Sequence, residues 1–350
     1  MKTVQVNASK SYQVLIGSGL LKNTGTHIQE VTGKCKAAIV SDSNVFPLYG
    51  EKVIKSLEDS GFQIIKFVFS AGESSKNGVT YLQLLNFLAE NHLTRSDCLI
   101  ALGGGVVGDL TGFTAATYLR GIAYVQIPTT LLAAVDSSVG GKTAIDLPAG
   151  KNLCGAFYQP SLVLCDTDTL NTLPEDIFQD GCAEVIKYGI LYDQDLFDLL
   201  AQTGINFPRE DVIARCIQWK RDVVAEDEFD RGARQKLNLG HTIGHGVEAH
   251  SRFAISHGKA VAIGMAIVSR AAAATQLCPE SVSRKICHVI MQFGLPIHTD
   301  FSSQQLFHAA LSDKKRSGGS VNLIVPTDIG NCIIQSTAIS NLQSFIEAGL

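Results

Sequence analysis

The chain has 350 residues, 45% of them hydrophobic and 18% charged, so it is long enough for about two domains and too apolar for disorder. Its net charge of −4 gives no basic field for nucleic acid. Nine cysteines without a C-x-x-C pair favour reduced thiols in a cytoplasmic protein over a disulfide framework or a zinc ribbon. We expect neither a signal peptide nor a membrane span, because the N-terminus lacks an apolar core and the most apolar helix candidate, residues 259–276, carries two basic side chains.

Short β-branched runs alternate with helix-period segments up to about residue 170. This alternation predicts βαβ units and a largely parallel sheet, whose ligand crevice lies beyond the carboxyl ends of the strands. The predicted strands are 37–40, 64–69, 98–102, 123–127 and 162–165, and the helices between them include 45–60 and 78–91. We therefore predict a Rossmann-like α/β domain over residues 1–172.

The pattern from about residue 174 onward is helical, which predicts an all-α domain over residues 173–350. The predicted helices are 180–201, 209–226, 241–250, 259–276, 279–293 and 303–312. One late apolar pair, 321–325 and 331–335, flanks a Pro- and Gly-containing loop and could form a hairpin.

A glycine-rich turn follows the third predicted strand. Its glycines are Gly103, Gly104, Gly105 and Gly108. They match G-x-G-x-x-G, in which the backbone approaches a pyrophosphate at a helix N-terminus. The match departs from the Rossmann fingerprint, because it lies about a hundred residues into the chain and no acidic residue follows about twenty residues later. Asp42 with Asn44 offers an alternative ribose acceptor, and a turn without any ligand is the competing interpretation.

Polar residues also follow the next strand. The hydroxyls of Thr129 and Thr130 could bind phosphate or cap the following helix. A glycine-rich stretch then carries Asp136, Lys142, Lys151 and Asn152. These are either solvated loop residues or part of an anion site.

Four of the nine histidines fall within seventeen residues: His241, His245, His250 and His257. Neutral imidazole is the commonest protein ligand for zinc-like metals. The i, i+4 spacing of a helix nominates His241 with His245. A chance cluster of ordinary histidines is the alternative.

Glu184 lies three residues before Lys187 in an otherwise apolar predicted helix. The two could form a simple ion pair. A carboxylate beside two histidines instead completes a three-ligand catalytic metal site with one open position. Further polar residues precede His241 or lie near the C-terminus: Lys220, Arg234, Asn238, Lys314 and Lys315. Gathered in one place, they would bind a multiply charged small anion.

Eight ordered motifs carry a family resemblance. They are GESSK at 72–76, GGGVVGD at 103–109, PTTLLAAVDSSVGGKTAID at 128–146, GKN at 150–152, EVIK at 184–187, LNLGHTIGH at 237–245, SHGKAVAIGM at 256–265 and DKK at 313–315. With them the chain resembles the 3-dehydroquinate synthase family over essentially its whole length. The wider superfamily includes cyclitol-forming sugar-phosphate cyclases and metal-dependent polyol dehydrogenases, which share the glycine turn and the metal ligands.

The resemblance assigns roles to these positions. NAD would contact Asp42, Asn44, Glu73, Ser74, Ser75, Lys76, Gly103, Gly104, Gly105, Val106, Val107, Gly108, Asp109, Thr129, Thr130, Lys142, Lys151, Thr169, Leu170, Asn171 and Thr172. Zinc or cobalt would be held by Glu184, His241 and His257, while His245 would assist proton transfer. The substrate would meet Arg120, Asp136, Lys142, Asn152, Lys187, Lys220, Arg234, Asn238 and one of Lys314 or Lys315.

The resemblance also implies a reaction. The substrate would be 3-deoxy-D-arabino-heptulosonate 7-phosphate, an anionic sugar phosphate, and the product 3-dehydroquinate. Transient oxidation by NAD at C5, β-elimination of phosphate, re-reduction and aldol closure would make the enzyme a carbon–oxygen lyase of the shikimate pathway. A homodimer is implied as well. The rival interpretations are a polyol dehydrogenase, a cyclitol-forming cyclase and a metal- and nucleotide-binding protein without turnover.

Overall fold

The computed structural model describes residues 1–252, 254–312, 316–317 and 319–350. The strands are β1 (Lys2–Val6), β2 (Tyr12–Gly17), β3 (Lys36–Asp42), β4 (Gln63–Phe69), β5 (Cys98–Gly103), β6 (Ala123–Pro128), β7 (Lys142–Leu147), β8 (Gly150–Phe157), β9 (Leu162–Asp166), β10 (Arg316–Ser317), β11 (Ser320–Asp328) and β12 (Asn331–Ala338). The α-helices are α1 (Thr24–Thr32), α2 (Phe46–Asp59), α3 (Gly78–Glu90), α4 (Gly105–Thr117), α5 (Glu175–Tyr192), α6 (Gln194–Thr203), α7 (Arg209–Glu226), α8 (His241–His250), α9 (His257–Ala274), α10 (Glu280–Gln292), α11 (Ser303–Ser312) and α12 (Ile339–Gly349).

The chain forms two compact units. The first comprises Met1–Leu173 and Arg209–Phe229, and the second comprises Pro174–Pro208 and Asp230–Leu350. The sequence did not predict that α7 belongs with the first unit. It does so because its buried face packs on β1, β2 and the π-helical turn Ala133–Ser137, and helix periodicity alone does not name the partner of that face.

The sheet of the first unit has the strand order β1-β2-β9-β6-β5-β3-β4. Neighbouring strands are parallel except β1 and β2, which pair antiparallel. Alternate residues of β3 point to opposite faces, so that Ile39 packs in the core with α1 and α2, while Val40 packs with α3 and α4. Burying each such side chain contributes about 1.5–3 kcal/mol. The predicted α/β class is therefore confirmed, as are all five predicted strands.

Several elements of this unit were not predicted. Strands β1 and β2 precede the βαβ pattern, and β7 and β8 form a separate antiparallel hairpin in the glycine-rich stretch that was interpreted as loop. Each of these strands is stabilised by its pairing partner, and sequence periodicity over five to eight residues does not identify that partner.

Strand β3 pairs with β4 on one side and with β5 on the other. The chain therefore reverses its direction across the sheet between β3 and β5, which is the usual position for a ligand crevice. The carboxyl ends of these two strands are Asp42 and Gly103, and the Ser41 hydroxyl donates to the Leu102 carbonyl at 2.7 Å between them.

The second unit is mainly helical, as predicted. Helix α9 lies at its centre, in contact with α5, α8, α10 and α12. The predicted hairpin is confirmed, since β11 pairs antiparallel with β12. The predicted single helix over 180–201 is wrong, because Asp193 has a non-helical backbone and its carboxylate accepts from the Leu196 amide at 2.9 Å, which starts α6 as a new helix. Among the described residues, no helix has both the length and the apolarity needed to cross a bilayer.

Candidate metal centre and nucleotide site

Helices α8 and α9 cross in close contact because both carry glycine at the crossing. A Cβ at Gly264 would collide with the carbonyl oxygen of Gly240, and Gly240 itself has a φ of 78°, which L side chains rarely adopt. Gly240 directly precedes α8, so this contact places His241, the first residue of α8, beside α9.

Asp180 of α5 fixes the start of α9. Its carboxylate accepts from the Ser256 hydroxyl and, at 3.0 Å, from the Lys259 amide. Gly258 allows this contact, since a Cβ there would overlap the Asp180 carbonyl. As a result His257, the first residue of α9, faces α5, on which Glu184 follows Asp180 by one turn.

Three potential ligands meet at this place. The Glu184 Oε1 lies 3.4 Å from His241 Nε2 and 3.5 Å from His257 Nε2. The ligand atoms of the three residues all lie within 4.8 Å of one another, and Glu184 is buried. One carboxylate and two imidazoles so placed form a typical three-ligand zinc-type site.

The second ring nitrogen of each imidazole is held by a neighbour. His241 Nδ1 lies 3.1 Å from the Leu239 carbonyl, and His257 Nδ1 lies 3.3 Å from Glu248 Oε2. Such partners fix the ring orientation and leave Nε2 for a metal. Lys187 contacts the other carboxylate oxygen of Glu184, so that Oε1 remains directed at the two rings.

The electrostatics of His257 reflect two carboxylates. Burial by itself would lower the pKa of this imidazole, but hydrogen bonds and attraction from Glu184 and Glu248 outweigh burial and raise the pKa to about 10. A cation is therefore favoured between these groups, either a proton on His257 or a metal ion that replaces it. The donor set, its close spacing and its negative surroundings fit a divalent metal.

A second group of potential ligands overlaps the first and consists of His245, Glu248 and His257. In it the imidazole of His245 is exposed, and Glu248 faces the outer nitrogen of His257. The His241 and His245 rings are 5.5 Å apart, so i, i+4 spacing does place them as neighbours. The group around buried Glu184 is nevertheless the better metal site, because Nε2 of both its imidazoles faces one carboxylate oxygen.

Sequence reasoning missed Asp180 and Glu248. Both carry a signal that could have been used. Asp180 lies one turn before Glu184, and Glu248 lies one turn after His245 within the histidine-rich segment.

The other predicted substrate residues of this unit are Arg234 and Asn238. Both lie in the 3₁₀ segment Ala233–Asn238 that leads into α8. Arg234 is 1% exposed, so the fold holds a buried guanidinium close in sequence to the histidines, and Asn238 donates to the Gln235 carbonyl at 3.0 Å. Lys314 and Lys315 lie outside the described residues.

In the first unit, the glycine turn lies at the reversal point of the sheet. Helix α4 begins after Gly104 without a side-chain cap and without an acidic residue in its first turn. A Cβ at Gly104 would lie 2.9 Å from Thr130 Cγ2. The turn therefore presents backbone N–H groups that an anionic ligand can approach, which fits a pyrophosphate.

Some of the neighbouring polar residues hold the local fold, and others can bind a ligand. Asp42 Oδ1 accepts from the amides of Asn44 at 2.8 Å and Val45 at 2.9 Å, which fixes the turn after β3. Thr130 caps the next turn by accepting from the Ala133 amide at 3.2 Å. The buried Thr129 hydroxyl has no hydrogen-bond partner within the described residues, so it is the better phosphate donor of the two threonines.

Lys76 gathers three of the predicted residues. Its Nζ lies 2.5 Å from Asp109 Oδ2, 2.6 Å from Asn152 Oδ1 and 3.9 Å from Glu73 Oε1. Burial would lower the pKa of Lys76, but Asp109 and Glu73 outweigh it and raise that pKa, while burial raises the pKa of Asp109. Lys76 therefore forms a charged pair with Asp109 of α4 and, through its bond to Asn152 of β8, links the β7–β8 hairpin to that helix.

Lys220 of α7 reaches the π-helical turn. Its Nζ lies 2.9 Å from Asp136 Oδ1 and 2.6 Å from the Asp136 carbonyl oxygen. The structure therefore brings these two predicted substrate residues together within the first unit, although they are far apart in the chain.

The remaining predicted contacts lie in varied settings. The side chains of Val107 and Leu170 belong to the core, so only their backbone could meet a ligand. Tyr49 of α2 donates to the Thr169 carbonyl at 3.1 Å and contacts the Thr172 hydroxyl, which holds that segment near the turn after β3. Exposed or partly exposed are Asn44, Ser74, Ser75, Gly105, Val106, Arg120, Lys142, Lys151 and Asn171.

Family profiles match most of the chain. The profile described as 3-dehydroquinate synthase N-terminal matches residues 66–180, and the one described as 3-dehydroquinate synthase C-terminal matches residues 181–316. A 3-dehydroquinate synthase of Streptococcus thermophilus is 41% identical over 98% of this chain and 99% of its own length.

Solved structures of related cyclases are similar to the chain over nearly its whole length. A 2-epi-5-epi-valiolone synthase from Streptomyces hygroscopicus, with NAD+ and Zn2+ bound, superposes with a TM-score of 0.90 at 28% identity, covering 99% of this chain and 97% of its own. A 2-deoxy-scyllo-inosose synthase in complex with carbaglucose-6-phosphate, NAD+ and Co2+ gives a TM-score of 0.87 at 26% identity and covers 100% of both chains. The identity to 3-dehydroquinate synthases over nearly the full length is decisive, and the chain belongs to the 3-dehydroquinate synthase family.

Proposed function

We propose that the chain converts 3-deoxy-D-arabino-heptulosonate 7-phosphate to 3-dehydroquinate and phosphate, with NAD and a divalent metal as cofactors. The observation that carries the proposal is the close group of buried Glu184 with partly buried His241 and His257, on three helices of a chain that belongs to this family. When bound, the metal would polarise an alcohol oxygen and NAD would accept and return a hydride at its carbon.

Two cationic residues of the second unit suit the carboxylate and phosphate of the proposed substrate. Lys187 and Arg234 are each 1% exposed, and a buried cation interacts with a carboxylate or phosphate far more strongly than a solvated one. Lys187 also holds Glu184 Oε2, so its loss would disturb both substrate charge and ligand orientation.

His245 is placed for proton exchange. Its ring lies 5.5 Å from that of His241 and 6.3 Å from that of His257, and it is exposed where those two are partly buried. An imidazole beside the three ligands suits general acid–base work on a substrate held there.

The first unit supplies the features that NAD requires. The open start of α4 suits the pyrophosphate, and the Thr129 hydroxyl suits one of its oxygens. Asp42 lies at the carboxyl end of the strand next to the glycine turn, where a carboxylate typically meets a ribose hydroxyl.

The test combines purified protein, NAD, zinc and the heptulosonate phosphate. We expect release of one phosphate per substrate, formation of 3-dehydroquinate identified by mass and NMR, and no net NADH, because the hydride returns. Accumulation of NADH with glycerol-like alcohols would instead mean a polyol dehydrogenase. Turnover of a sugar phosphate to a product without a carboxylate would mean a cyclitol-forming cyclase.

A matched pair of variants separates chemistry from binding. Glu184→Gln should lose turnover together with metal, whereas His245→Gln should keep metal and lose turnover. If both variants released phosphate at the wild-type rate, the assignment of this site would be wrong. The homodimer, the cytoplasmic location and the choice between zinc and cobalt stay predictions.

A further inference from the structure

Two thiols meet at the amino ends of β3 and β5. Cys98 is the first residue of β5 and pairs with Ala37 of β3, and Cys35 lies two residues before Ala37. Residues two apart point to the same face of a sheet, so both cysteines join the same hydrophobic core. Their Sγ atoms lie 3.7 Å apart, although 63 residues separate them in the chain.

The two thiols differ in their access to solvent. Cys98 is fully buried, whereas Cys35 is partly exposed and lines an open cavity of about 380 Å³. Lys34, Lys36 and His92 line the same cavity. A small neutral oxidant can therefore reach Cys35 but not Cys98.

The two thiols also differ in acidity. The hydrogen bond with Cys98 is the largest influence on the pKa of Cys35 and lowers it, helped by the Thr32 hydroxyl 3.9 Å away, although burial and the Asp97 carboxylate act in the opposite direction. The same hydrogen bond and burial raise the pKa of Cys98 well above its ordinary value. Because only Cys35 is accessible to solvent, it is the thiol that reacts first with an oxidant.

A metal site is a poorer explanation for this pair. Over the part of the chain that the structure describes, no group of three close ligands includes either cysteine. A soft metal would need at least one further ligand beside the two sulfurs for a stable site.

We propose that Cys35 and Cys98 form a redox-sensitive dithiol that a small peroxide converts to an intramolecular disulfide. The Cys35 thiolate attacks one peroxide oxygen, an S–O bond forms, the O–O bond breaks, and the departing hydroxide takes a proton and leaves as water. Cys98 sulfur then attacks the resulting Cys35 sulfenic acid, the S–S bond forms, the S–O bond breaks, and hydroxide leaves with the Cys98 proton as a second water. Two thiols lose two electrons and one peroxide gains them.

The surrounding structure permits the bond. Closing the gap from 3.7 Å to the roughly 2.0 Å of a disulfide requires a shift of Cys35, which precedes β3 and whose carbonyl accepts from the Gln63 amide at 3.3 Å. The dithiol lies at the amino ends of strands whose carboxyl ends carry Asp42 and the glycine turn. Oxidation would therefore tie β3 to β5 without touching the residues proposed to bind NAD.

The first experiment uses the unmodified full chain. The reduced protein is treated with a few equivalents of hydrogen peroxide, quenched with N-ethylmaleimide and digested without reductant. We expect a cross-linked peptide pair that contains Cys35 and Cys98, a mass loss of two hydrogens, the loss of two titratable thiols and full reversal by dithiothreitol. Before oxidation, iodoacetamide should alkylate Cys35 at least about tenfold faster than Cys154, the other partly exposed thiol.

Variants identify the two roles. Cys98→Ala should stop the reaction at a Cys35 sulfenic acid that dimedone traps, and Cys35→Ser should remove both the disulfide and the dimedone adduct. Cys154→Ser, the matched control, should still form the disulfide. Two results on the wild type, which do not depend on the folding of any variant, would overturn the proposal. One is a digest in which Cys35 and Cys98 stay reduced or the disulfide joins other cysteines. The other is an alkylation rate of Cys35 no higher than that of Cys154.

Discussion

The two candidate sites are built in opposite ways. In the second unit, a carboxylate and two imidazoles from α5, α8 and α9 converge within 4.8 Å, and side chains such as Lys187 and Glu248 contact them. In the first unit, the glycine turn offers backbone N–H groups at the start of α4, which has no side-chain cap. A compact cation needs several fixed ligand atoms, whereas a long dinucleotide needs an open surface with a polar turn at one end.

This difference predicts that metal binding in the second unit depends on individual side chains. NAD binding in the first unit should depend instead on the space around the backbone of the glycine turn. It also predicts that damage to one site leaves the affinity of the other site for its own cofactor nearly unchanged. Each of the following experiments can break that contrast.

The largest effect is expected for His257→Ala. It removes one of two imidazole ligands, so metal affinity should fall by more than about 100-fold, the upper range for loss of a mere orienting partner, and turnover should be abolished. Metal content by plasma mass spectrometry and phosphate release measure the two. His250→Ala is the control, since that exposed side chain on α8 contacts the Gly246 carbonyl at 3.0 Å and the Phe301 ring and belongs to neither group of potential metal ligands in the described structure. Retained metal in His257→Ala would refute the ligand assignment.

Glu248→Gln should have a smaller effect of about 10–100-fold on metal affinity, because it weakens the partner that orients His257. It should also change the pH profile. A metal must displace the proton of His257, whose pKa is raised to about 10, so zinc affinity of the wild type should rise about tenfold per pH unit up to that pH. Without the Glu248 charge the pKa falls, and the rise should level off at lower pH. Identical profiles in a competition titration would contradict the orienting role.

Gly104→Ala tests the backbone contribution. The added Cβ would lie 2.9 Å from Thr130 Cγ2, so the turn must shift away from the pyrophosphate, and a binding cost of about 1–3 kcal/mol corresponds to a loss of about 5- to 150-fold in NAD affinity. Calorimetric titration with NAD measures it, while metal content should stay at the wild-type level. Gly78→Ala is the control, because a Cβ there meets no heavy atom within 4 Å. Unchanged NAD binding in Gly104→Ala would place the pyrophosphate elsewhere.

The smallest effect is expected for Asp193→Ala, which removes the cap of α6. The unfolding free energy should fall by about 1 kcal/mol, as measured by urea denaturation, with metal affinity unchanged. Asp193→Asn keeps an acceptor and should lose less. A change in metal affinity would show that the metal centre depends on the cap of α6 as well as on its own ligands.

Local sequence signals were enough for much of this protein. β-branched runs identified five strands, and the bounds of α7, α8 and α11 were predicted to the residue. The eight motifs identified the family without a structure, because their order and spacing are specific to it. The helix-cap interpretation of Thr130 was also available from sequence, but the choice between cap and phosphate ligand required the Ala133 contact.

The rest was decided by contacts between distant segments. Helical spacing could pair His241 only with His245, whereas the crossing of α8 and α9 brings His241 to His257 and gives each ring a partner for its second nitrogen. For the same reason, the sequence does not predict the place of α7, the capping role of Asp180 or the pairing of Cys35 with Cys98. Periodicity determines which face of an element is buried, but only the packed fold determines which side chain that face meets.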